Sequence, residues 1–61
     1  MTVTISEKGN GRLGLRSAHP GFKFQFGEEP TVSKHDLFSV MWEIADYANN
    51  KENEECIFDV E

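Results

Sequence analysis

Cysteine is nearly absent from this chain, Cys56 standing alone among 61 residues. One thiol excludes an internal disulfide and any metal centre built on several cysteines, and it suits a reducing, cytoplasmic setting. No apolar run approaches the roughly 20 residues that span a bilayer, and the N-terminus has neither the basic nor the apolar region of a signal peptide, so no membrane role is expected. Histidine occurs only as His19 and His35, and no His-Glu-x-x-His pattern is present. The glycine cluster Lys8-Gly9-Asn10-Gly11 lacks the lysine and the following helix that a phosphate loop requires. The carboxylates Glu52, Glu54, Glu55, Asp59 and Glu61 lack the spacing and central glycine of a calcium loop. Cys56 is expected to be an inward structural thiol, since nothing orients a histidine toward it as a base. Neither an enzyme nor a bound cofactor or metal is therefore expected.

What the chain does have is charge of uneven layout. The net charge is −5. Residues 1–27 carry Lys8, Arg12, Arg16 and Lys23 against Glu7 alone, whereas residues 28–61 carry ten carboxylates against Lys34 and Lys51. The halves thus stand at +3 and −8. Such a split can be solvated surface, or it can steer a charged partner. The length permits one small domain, with burial of only about 60% of the unfolded chain's surface, so self-association as a homodimer is a reasonable expectation.

The clearest local signal runs from Val32 to Asn50 and predicts one amphipathic helix. Ser33 is placed to cap it by accepting from the amide of Asp36, whose carboxylate reaches back toward the Ser33 amide. Val32 and Leu37 occupy the two positions of a hydrophobic staple. At about 100° per residue, Leu37, Val40, Met41, Ile44 and Ala48 share one face, flanked by Phe38, Ala45 and Tyr47. Asp36, Ser39, Glu43, Asp46 and Asn50 fall opposite, and Trp42 lies at the border. Asn49 or Asn50 is suited to end the helix.

Elsewhere the period is two. Thr2–Ser6 alternates with Val3 and Ile5 inward, and Arg12–Arg16 alternates with Leu13 and Leu15 inward, the two joined by a tight turn at Asn10-Gly11. His19-Pro20-Gly21 marks a second turn. Phe22, Phe24 and Phe26 alternate with Lys23 and Gln25, which predicts a third strand whose phenylalanines floor the helix. Cys56–Val60 predicts a short last strand, at an edge or beside the first, or else a tail that pairs with a partner's sheet. The expectation is an α+β domain over residues 1–61: a three-stranded antiparallel sheet, one helix on one face and a C-terminal strand, in the order βββαβ. Its outward sheet face would present Thr2, Thr4, Arg12, Arg16, Lys23 and Gln25, back to back with an acidic helix.

Two functional readings follow. In the first, the chain is a small acidic regulator or inhibitor that binds a protein with a basic surface, such as a host factor or a nucleic-acid enzyme. Glu43 and Asp46 would give complementarity, Trp42 with Phe38 an aromatic anchor, and Glu54 and Glu55 long-range attraction. Small size, acidity and the lack of catalytic apparatus are in the style of inhibitors encoded by phage and mobile elements. In the second, Lys8, Arg12, Arg16 and Lys23 contact nucleic acid from the sheet. That face has no aromatic ring for stacking, and the overall charge opposes a polyanion, which ranks it second. A structural subunit of a homo-oligomer is the remaining possibility.

Overall fold

The computed structural model describes all 61 residues, Met1–Glu61. The two N-terminal strands form as their alternation requires. β1 (Thr2–Gly9) and β2 (Arg12–Arg16) pair antiparallel. Between them Asn10 and Gly11 both take positive φ, 54° and 71°, the backbone that a two-residue hairpin turn needs. Val3, Ile5 and Leu15 are buried on one face of this hairpin.

The third predicted strand is not one. Pro20–Phe26 is a helix, α1, and this overturns the three-stranded antiparallel sheet expected from the phenylalanine alternation. Its local signals agree with one another. Pro20 stands in the first turn, where its missing N–H costs nothing, the His19 imidazole accepts from the Gly21 N–H at 3.0 Å, and Gly27 at φ 104° ends the helix. Phe22 and Phe26 are four residues apart, which puts them on one helical face with ring centroids 5.1 Å apart. Phe22 is fully buried and Phe26 partly so, while Phe24, half a turn away, is 90% exposed. The phenylalanines therefore do not floor the long helix as a set. Lys23 and Gln25 belong to α1 and not to the sheet face.

The place of the missing strand is taken by β3 (Thr31–Ser33), antiparallel to β2. Ser33 then caps a short 3-10 turn, Lys34–Asp36, that leads into α2 (Leu37–Lys51). The Ser33 hydroxyl lies 3.3 Å from the Asp36 amide, as expected. The Asp36 carboxylate accepts from that same hydroxyl, 3.0 Å away, because the aspartate side chain is too short to return to the Ser33 amide. Asn49 and Asn50 remain helical. The chain turns at Asn53, φ 58°, where the Glu54 N–H comes back to the Ala48 carbonyl at 2.9 Å.

β4 (Ile57–Val60) closes the fold beside β1, and the pairing is parallel. The sheet is therefore four-stranded and mixed, in the order β3-β2-β1-β4, with element order ββαβαβ. α1 and α2 lie on the same face. Phe22 and Ile44 join Val3, Ile5 and Leu15 in one core, with Ala48 also buried. The other face of the sheet has no helix over it. No helix is long and apolar enough to cross a membrane.

Candidate functional site

α2 buries the face that its sequence period dictates. Ile44 and Ala48 are fully covered, and Leu37, Val40 and Met41 pack against the core. Phe38 and Trp42, four residues apart on the same shoulder, are left 75% and 73% exposed. With Met41, Ala45 and Phe58 of β4 they form a shallow apolar groove of about 270 Å³. Exposed Trp and Phe beside a groove are the residue types that anchor protein interfaces. Phe58 is the member the sequence reading missed; its place could be known only once β4 was seen to lie under this side of α2.

Glu43 and Asp46 are exposed on α2 and neither has an ion-pair partner within 4.0 Å. Asp46 lies one turn beyond Trp42 and about 40° further round the helix, on the solvent crest and outside the groove's lining. Glu43 lies about 100° from Trp42, on the shoulder of α2 away from the groove. Glu55 is exposed, and its backbone carbonyl accepts from the Met1 amino group at 2.7 Å.

Glu54 is engaged elsewhere. Its carboxylate meets the Met1 ammonium at 2.8 Å and His19 Nε2 at 3.0 Å. Glu52 stands 3.9 Å from the same ring nitrogen, and the Tyr47 hydroxyl donates to Glu52 at 2.6 Å, with the Gly21 carbonyl 3.2 Å away. Gly21 permits this approach, since a Cβ there would meet the Glu52 carboxylate and the Tyr47 hydroxyl. The hydrogen bond to Glu52, then burial and the Glu52 charge, raise the Tyr47 pKa. The ammonium and His19 hydrogen bonds lower that of Glu54.

A folded carboxyl held below its unfolded value stabilises the protein above that unfolded value and loses the contribution as pH falls through the folded one. Glu54→Gln is thus expected to lower stability at neutral pH, leaving the protein folded, and to flatten the acid limb of stability below about pH 4.3. Urea melts at stepped pH check this; equal acid limbs in both proteins would count against the ion pair.

His19, Glu52 and Glu54 bring three potential metal-ligand atoms within 4.8 Å of one another. The hydrogen bonds argue for a different role. Because the Gly21 N–H donates to Nδ1, the neutral ring carries its proton on Nε2 and donates it to Glu54. A cation on Nε2 would have to displace that proton and leave the ring with none, or break the cap of α1. The cluster as built ties the start of α1 to the end of α2.

Cys56 is partly buried, which pushes its thiol pKa up and lowers its nucleophilicity. Both nitrogens of His19 are committed, and His35 is exposed in the turn before α2.

The residues assigned to nucleic acid are only partly gathered. Arg16 and Lys23 line one open cleft of about 630 Å³ on the uncovered side, which Thr2, Thr4, Glu28 and Glu29 share. α1 brings Lys23 there. Lys8 pairs with Glu29 at 3.0 Å, Arg16 pairs with Glu61 at 2.9 Å, and Arg12 donates to the Thr31 carbonyl and hydroxyl at 3.1 and 2.9 Å. Neighbouring carboxylates thus offset the positive field that a polyanion would read. No protein-family model, curated protein or solved structure matches this chain.

Proposed function

We propose that the chain is a small protein-binding regulator or inhibitor that engages a basic partner through the shoulder of α2. One observation carries this reading: two large aromatic side chains, Phe38 and Trp42, stay in water over an apolar groove, with the unpaired carboxylate of Asp46 on the helix turn after Trp42. An exposed indole in a 61-residue domain forgoes burial that so short a chain can ill spare, unless another surface supplies it. Phe38 and Trp42 anchor, and Asp46, Glu43 and Glu55 attract the partner's cations from outside the groove. Glu54 is left out because its carboxylate holds the N-terminus and His19.

The test compares proteins captured from an extract of the organism of origin by the immobilised chain and by the double variant Trp42→Ala, Asp46→Lys. At least one captured protein is expected to fall tenfold or more on the variant while circular dichroism stays unchanged. Identical capture profiles from two equally folded proteins would defeat the assignment.

A further inference from the structure

The groove and the edge of the sheet are one feature. β4 is the outermost strand on its side, held to β1 by the Ile57 N–H to the Met1 carbonyl at 2.8 Å and the Glu61 N–H to the Ile5 carbonyl at 2.9 Å. In a parallel ladder alternate residues turn their backbone groups to one neighbour. Ile57, Asp59 and Glu61 therefore face β1, and the N–H and C=O groups of Phe58 and Val60 face outward along an unpaired edge. Val60 pairs in register with Ile5 and so lies on the helix-covered side of the sheet, yet it is 83% exposed. Above that edge Phe38 and Trp42 are exposed as well. The groove of α2 and the open edge of β4 thus adjoin at Phe58, and the apolar surface of Phe38, Trp42 and Val60 around that junction is left uncovered.

We propose that this edge accepts an extended segment of the partner protein as a fifth strand beside β4, with apolar side chains alternating with Lys or Arg. The proposal rests on the protein-binding reading above and specifies its partner. The backbone groups of Phe58 and Val60 supply the hydrogen-bond ladder. Apolar side chains on one face of the added strand fill the groove under Phe38 and Trp42. The Lys or Arg side chains on its other face meet Asp59, which pairs in register with Thr4 on the uncovered side and has no ion-pair partner. The same charge selects against a second copy of this chain. Two β4 edges brought together would juxtapose Glu55, Asp59 and Glu61 with their own kind, the means by which natural edge strands resist self-pairing.

The probe is an end-blocked, eight-residue synthetic peptide in which lysines alternate with valine and phenylalanine. Three comparators accompany it: one with glutamate for every lysine, and two N-methylated on alternate amides, one set in each. Binding is followed by the emission of Trp42, the only tryptophan, and by hydrogen exchange of the Phe58 and Val60 amides. The lysine peptide is expected to shift the emission and slow exchange at Phe58 and Val60 at least tenfold. The glutamate peptide should bind at least tenfold more weakly. One N-methylated peptide should lose tenfold or more while the other binds, because only one edge of the added strand faces β4. Val60→Pro removes an outward N–H and is expected to abolish the exchange protection.

If Trp42 responds equally to both N-methylated peptides, the helix shoulder binds without strand addition; the inference then fails and the wider reading stands. No response to the lysine peptide overturns the inference, and the capture profile separately decides the reading. Sedimentation that shows a dimer of the unliganded protein, lost on Val60→Pro, would place a second copy at the edge and overturn it too.

Discussion

Phe22→Ala is expected to remove about 3–5 kcal/mol of stability, the usual cost of truncating a fully buried phenylalanine. A 61-residue domain holds roughly 3–9 kcal/mol in total, so this one change should leave the protein unfolded or at the margin. The side chain lies where α1, α2 and the sheet meet, among Val3, Ile5, Leu15 and Ile44, and its loss opens a void that no neighbour can fill without moving a helix. Phe24→Ala, two residues on, should change stability by no more than about 0.5 kcal/mol, since that ring stands in water. Urea denaturation followed by circular dichroism compares the two. Equal losses would mean that the phenylalanines share one face, as in a strand, and would refute the helical assignment of Pro20–Phe26.

Ile44→Ala and Trp42→Ala form the second contrast, on an element whose inward face the periodicity identifies correctly. Ile44 is fully buried against the sheet, and its truncation is expected to cost about 2–5 kcal/mol. Trp42 is the larger residue but rests on the groove with most of its surface in solvent, so its truncation should cost about 1 kcal/mol. Trp42→Ala should also abolish the slowing of Phe58 and Val60 amide exchange by the lysine-rich peptide, a result separable from folding because the protein remains native. A loss of stability on Trp42→Ala as large as that on Ile44→Ala would make the indole part of the core and remove the ground for reading it as an interface residue.

The two helices show why one was legible and the other was not. α2 is long enough for its period to be unambiguous: Leu37, Val40, Met41, Ile44 and Ala48 recur at three- and four-residue steps over several turns. α1 spans seven residues, and Phe22, Phe24 and Phe26 fit a strand at i, i+2, i+4 as well as a helix at i, i+4. The arbiters were present at its ends, with Pro20 in the first turn and Gly27 just past the last, and they outweigh a short alternation. β3 gave less to read. Thr31–Ser33 has three residues, and Val32 and Ser33 also served as staple and cap of the coming helix. Asp46 was visible on the polar face of the helix, Phe38 on a shoulder and Trp42 at the border between them. The partner of Phe38 and Trp42 in the groove, Phe58, was not, because it is separated from them by a turn and a change of direction.

Local order is what the chain encodes on its own: the hairpin at Asn10-Gly11, the cap at Ser33 and the buried stripe of α2 each depend on residues within a few positions of one another, where sterics and hydrogen bonding act without help. Packing over long separations decided the rest. Whether Phe24 or Phe22 turns inward depended on α2 and the β1-β2 hairpin already offering a cavity for one ring. That β4 runs parallel to β1, leaving an open edge beneath Phe38 and Trp42, depended on where the chain emerged from α2 at Asn53 and which side of the sheet was still free.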